Sequence, residues 1–172
     1  MRFEFTPTPE DYKKAIRIYY LSDVRLWIIF GLFGLPQLCC SIYLITQNGL
    51  KNGILPIVLL FLFPLFVVYL LVLMPLNFAQ KVKNNERLRA KTTWIVSEEQ
   101  IVVKNEYSES KLTWDTYQRV IESRAYYLLF YQGNKGLFQM LPKRAFFTVD
   151  QELAFQKMVD SKVKKYRVLQ YF

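Results

Sequence analysis

The sequence predicts a membrane α-helical hairpin joined to a cytosolic α+β domain, a small β-barrel or sheet capped by a C-terminal helix. Three observations carry this. There is no charged residue between Arg25 and Lys51, and none between Lys51 and Lys81. From Thr92 onward, short β-rich runs alternate with turn residues. The chain then closes on a helix-start signal followed by an apolar stripe. The near-neutral mean hydropathy of +0.09 averages over these two populations. The 172 residues carry a net charge of +9, two cysteines and no histidine. That composition excludes a disulfide scaffold and a disordered chain, and it disfavours histidine-based catalysis and a zinc site.

Residues 1–25 read as a cytosolic arm. Thr8-Pro9-Glu10-Asp11 is a helix start, with Thr8 as N-cap and Pro9 at the first helical position. Tyr12, Ala15, Ile16, Tyr19 and Tyr20 then share one face, with Lys13, Lys14 and Arg17 on the other. Such a helix either lies in the lipid interface or docks on the C-terminal domain.

Residues 26–76 hold two apolar spans, 26–45 and 54–76. Twenty residues of helix reach about 30 Å, the thickness of the bilayer's hydrocarbon core. In the second span 18 of 23 residues are Leu, Ile, Phe or Val. On an insertion scale these contribute about −5 to −11 kcal/mol. Gly31, Gly34, Gln37 and Ser41 interrupt the first span and suit packing within the hairpin. Pro36 should kink it unless a neighbour satisfies the freed carbonyl. Cys39 and Cys40 are adjacent, outside disulfide geometry, and read as small packing residues. Trp27 suits the headgroup level. The connection 46–53 contains Asn48-Gly49 and Asn52-Gly53, turn chemistry, with one basic residue, Lys51. Five basic residues precede the first span and five follow the second (Lys81, Lys83, Arg87, Arg89 and Lys91). The excess of positive charge predicts both termini in the cytosol of a plasma (inner) membrane protein.

Residues 77–91 form a basic juxtamembrane linker that extends the second helix. Residues 92–172 form the cytosolic domain, with β runs at 92–96, 101–104, 110–114, 119–123, 126–131 and 137–141. Turn-like segments such as 97–100 and 133–136 divide them. Thr148 with Gln151 three residues on is a capping-box pattern. Phe155, Met158, Val159, Val163 and Tyr166 make the apolar stripe of the final helix, and Trp94 and Trp114 read as core.

Leu112-Thr113-Trp114-Asp115, Val120-Ile121-Glu122 and Leu141-Pro142-Lys143-Arg144-Ala145-Phe146 resemble the YcxB-like family of bacterial membrane proteins. The opening Phe5-Thr6-Pro7-Thr8-Pro9-Glu10-Asp11-Tyr12 and the order of arm, two spans and β-domain resemble it too. The resemblance implies a pleckstrin-homology-like C-terminal domain and brings no settled activity.

Within Pro142–Phe146, Lys143 and Arg144 could hold a lipid phosphate. The alternative, that Pro142 ends a strand and Phe146 anchors the turn, weighs more. With Lys81, Lys83, Arg87, Arg89 and Lys91, these two cations are the candidate lipid or partner contacts. From Asn77 onward the chain carries 17 basic and 10 acidic residues, a surplus that membrane tethering explains without nucleic acid. None of the six glycines forms a phosphate-binding loop, and Ser108 and Ser110 have no histidine to activate them. No catalytic set, cofactor or metal is expected. The function expected is a non-enzymatic, membrane-anchored interaction module that binds a protein partner, a second copy of itself or lipid headgroups. The alternative from a different class is bacteriocin-type self-immunity against membrane-active peptides.

Overall fold

The computed structural model describes residues 1–48, 55–134 and 136–169. The chain forms two compact units, Met1–Ala15 with Ala79–Phe172, and Ile16–Phe78. The expected turn at 49–53, with Lys51, and Lys135 lie outside the described residues.

The second unit is helical. Helices α1 (Pro9–Ser22) and α5 (Met74–Lys83) each run from one unit into the other. α2 (Val24–Ile29) and α3 (Leu35–Asn48) make up the first long rod, and α4 (Leu55–Val68) with α5 the second. Val24–Gln47 and Ile57–Lys83, 24 and 27 residues, are long and apolar enough to cross a membrane. The expected kink at Pro36 takes a particular form. A π turn at Phe30–Gly34 ends two residues before Pro36, and another at Tyr69–Leu73 ends two residues before Pro75. A proline lacks an N–H and crowds the carbonyl four residues back, and the wider turn accommodates that crowding. For Pro75 that carbonyl belongs to Leu71, and the Arg17 Nε donates to it at 3.1 Å.

Gly34, Gln37 and Ser41 form one packing face. A Cβ on Gly34 would overlap the Phe63 ring, the Gln37 amide donates to the Leu59 carbonyl at 2.7 Å, and Ser41 is buried. Gly31 meets nothing, and Cys39 and Cys40 face outward as free thiols. The packing expected of the two cysteines is therefore corrected, because the inward face is taken by smaller or hydrogen-bonding side chains.

The first unit contains two four-stranded sheets. One has the order β1 (Arg2–Phe5), β2 (Thr92–Val96), β3 (Gln100–Lys104), β4 (Glu109–Thr113). The other has the order β7 (Phe138–Pro142), β6 (Tyr126–Tyr131), β5 (Tyr117–Glu122), β8 (Tyr166–Val168). A short 3-10 corner, Trp114–Thr116, carries the chain from β4 to β5. The sheets and α7 (Val149–Lys162) make an α+β domain without a closed barrel.

Four local expectations change. Residues 2–5 are no free arm: β1 pairs antiparallel with β2, Phe3 opposite Trp94, and both rings are buried. The domain expected over 92–172 thus includes the start of the chain, because β2 needs a second neighbour to complete its ladder. On α1 the buried residues are Asp11, Ala15, Ile18 and Ser22, a stripe offset from the tyrosine face. At the other end, α7 stops at Lys162 and Tyr166 belongs to β8, parallel to β5. There the Val120 N–H donates to the Lys165 carbonyl at 2.9 Å, so the edge of β5 gains a partner that a longer helix would deny it. Between α5 and the sheet, α6 (Glu86–Arg89) starts on an Asn85 N-cap and breaks the helix expected over 77–91.

α7 supplies the lid of the core. Its cap is as expected at Thr148, whose Oγ1 accepts from the Gln151 N–H at 3.2 Å, while the Gln151 amide oxygen reaches back to the Phe147 N–H. Phe155 and Val159 are fully buried and join Trp94, Trp114, Tyr127 and Leu141 in one cluster. Phe155 lies 5.1 Å from Tyr127 and 6.0 Å from Phe3, ring centre to ring centre. Phe155→Ala should therefore cost about 3–5 kcal/mol, read as a lower unfolding midpoint of the detergent-solubilised chain. An unchanged midpoint would show that α7 does not close the core.

Candidate functional site

Pro142 ends β7 and opens a 3-10 turn, Lys143–Ala145. Phe146 follows and seats its ring 4.6 Å from Phe3 and 5.5 Å from Phe155. The turn is thereby pinned to the first strand and the last helix at once. Its two cations then divide between opposite ends of the chain.

Arg144 reaches the N-terminal arm. Its guanidinium holds the Asp11 carboxylate at both ends, Nη1 to Oδ1 at 2.6 Å and Nη2 to Oδ2 at 2.5 Å. The Tyr126 hydroxyl donates to Oδ1, and the Thr8 N–H and hydroxyl both donate to Oδ2. Asp11 is also the third residue after the Thr8 cap, so one carboxylate starts α1 and ties it to β6 and the turn. Burial alone would push the Asp11 carboxyl up. The hydrogen bonds from Arg144, Thr8 and Tyr126 outweigh it and hold the group at about 2.

Lys143 turns to the C-terminal half. Its ammonium lies 2.6 Å from Glu122 on β5 and 2.8 Å from Glu152 on α7, over the face of Tyr127. Burial pulls the ammonium down, but the two carboxylates more than compensate and raise it. The other Glu122 oxygen accepts from Gln156 on α7 and from the Tyr166 hydroxyl on β8. This cluster has the residue types of an acid–base site. Every member is hydrogen-bonded to another, however, and none lines either of the clefts beside it.

Of the remaining basic candidates, Lys91 pairs with Glu4 at 2.6 Å and Arg87 lies over the Tyr107 ring. Lys81 and Lys83 are exposed in the last turns of α5. Of the seven residues, Lys91, Lys143 and Arg144 each have carboxylate partners within the domain. Asp11, Glu122 and Glu152 were missed by sequence reasoning. Only the position of Asp11 in the cap pattern signals it, because the other two meet Lys143 through tertiary packing. Among the described residues, no cluster of three or more His, Cys, Asp or Glu could hold a metal ion.

These features define an α+β domain, locked by a two-cation turn, in a chain that also carries a pair of long apolar helices. The model of the family described as YcxB-like protein matches residues 96–159, from the end of β2 into α7, and identifies that segment as YcxB-like. The match includes Lys143, Arg144, Glu122 and Phe155 and stops short of Asp11. No curated protein and no solved structure matches the chain.

Two outcomes follow from the paired charges. The depressed Asp11 group stabilises the fold fully above its ordinary value of 3.8, and that contribution fades as pH falls toward 2. It amounts to about 2 kcal/mol. Asp11→Asn should remove it at pH 7 and flatten the loss of stability between pH 4 and 2, measured by urea unfolding. Lys143→Met should cost about 3 kcal/mol by stranding Glu122, and adding Glu122→Gln should restore most of it. A double-mutant cycle showing no coupling would deny the pair this role.

Proposed function

We propose that the chain is a non-enzymatic, membrane-anchored interaction module whose α+β domain, of pleckstrin-homology-like type, binds a protein partner. The observation that carries the anchor is the uncovered apolar surface of the two long helices. Of their most apolar stretches, 11% and 0% of the residues are buried, and Leu32, Phe33 and Leu65 are each about two-thirds exposed. Water-soluble proteins rarely expose apolar patches beyond a few hundred Å², whereas hydrocarbon accommodates such helices readily. The pleckstrin-like reading is supported by two sheets meeting at the β4–β5 corner with a C-terminal helix packed over their core.

The surplus of basic residues beside the spans supports a plasma-membrane protein with both termini in the cytosol. Lys81 and Lys83, with Arg87, Arg89 and Lys91, face an anionic leaflet in this reading, each near-surface charge adding about 1 kcal/mol. The internal pairing of Lys143 and Arg144 favours a protein partner over a lipid headgroup as the domain's ligand.

Cysteine placed at position 49 should be labelled by an impermeant reagent on intact cells, and cysteine at 134 only after permeabilisation. The reverse would overturn the orientation. In-cell cross-linking should trap a discrete protein partner. Selective resistance of expressing cells to a membrane-active peptide, without a trapped partner, would replace this reading with self-immunity.

A further inference from the structure

A cleft of about 240 Å³ opens beside β7, lined by Phe5, Trp94, Val103, Asn105, Gln139 and Met140 among others. Among the described residues, no charged one lines it. Trp94 is 2% exposed, yet its indole N–H has no acceptor among the described residues. No fully buried side-chain N or O there lacks a partner, so that N–H remains reachable, through the cleft that Trp94 lines. The Gln139 amide is engaged on both sides, its oxygen accepting from Tyr117 and its NH2 donating to Tyr131, whereas the Asn105 amide oxygen accepts from Ser108, which leaves the Asn105 NH2 as a donor at the cleft.

The backbone adds a further pair of groups. β7 is an end strand. The Lys143 N–H donates to the Ala125 carbonyl and the Tyr131 N–H to the Leu137 carbonyl, and bonded pairs in an antiparallel ladder recur at every second residue. Met140, opposite Leu128, therefore turns its N–H and C=O away from β6. Phe138, Gln139 and Met140 all line the cleft although their side chains alternate in direction, so the cleft follows the strand's edge. β4, which ends the other sheet, carries Glu109 and Lys111, the charges that usually guard such edges. The cleft-lining part of β7 carries none.

We propose that this cleft takes an extended, uncharged segment of the partner protein, added to β7 as a further strand. Its carbonyls accept from Trp94 and Asn105, its backbone pairs with Met140, and one apolar side chain fills the cleft. The occupant follows from charge complementarity. A charged ligand would be desolvated against walls that offer no counter-charge, and a bare acyl chain would strand the donors. An extended backbone presents carbonyls and N–H groups alternately, as an open edge requires. This deepens the interaction reading above and rests on it.

The full chain in nanodiscs is panned against a displayed library of random ten-residue peptides. Enriched peptides should be uncharged at their centre. Trp94→Phe, which keeps an aromatic ring and removes the N–H, should weaken them at least tenfold. Met140→Pro should do the same, and N-methylating alternate residues of the peptide tests strand pairing with the protein untouched. No enrichment, charged consensus peptides, or binding indifferent to Trp94→Phe and to N-methylation would overturn the proposal. A partner still cross-linked in cells by the Trp94→Phe and Met140→Pro variants would remove the cleft while leaving the interaction module standing.

Discussion

Asp11 and Arg144 stand 133 residues apart and share a two-armed ion pair. The next residue back, Lys143, bridges Glu122 and Glu152. One three-residue turn thus holds the N-terminal helix on one side and the C-terminal helix with β5 on the other. The constraint is severe because all three carboxylates are buried or partly buried. A buried ionised group is tolerated only while its partner is in place. The turn's position is in turn set by Pro142 and by Phe146 stacked among Phe3, Tyr127 and Phe155. Charge pairing and aromatic packing therefore select the same arrangement.

In the helical unit, the hydrogen bonds that prolines disrupt are the governing constraint. Each π turn among the described residues precedes a proline, and Arg17 and Gln37 donate to backbone carbonyls of the second rod. A carbonyl that loses its in-helix partner to a proline needs another donor, and a side chain of a neighbouring helix supplies it for Leu71. In this unit Arg17 supplies a donor to the carbonyl that Pro75 crowds, and Gln37 supplies one to Leu59 on the facing helix.

The charge-free windows, the β runs from 92 to 141, the Thr148 cap and the buried face of Phe155 and Val159 were all legible in the sequence. Each is a local pattern, with a period or a cap that lies within a few residues. The core role of Trp94 and Trp114 followed from the same alternation. Of the candidate site, Lys143 and Arg144 could be named, but not their partners. A cation in a sequence carries no mark that tells an internal carboxylate from an external phosphate.

Composition and periodicity alone determined that this chain has two apolar helices and a β-rich domain closed by a helix. They did so because burial on one face imposes a repeat on neighbouring residues. Tertiary structure decided that β1 joins the distant sheet, that the chain after α7 returns as β8, and that Asp11 and Glu122 absorb the turn's charges. Those choices depend on which backbone edge and which buried charge lacked a partner. Such a shortage exists only once the other elements have been brought together.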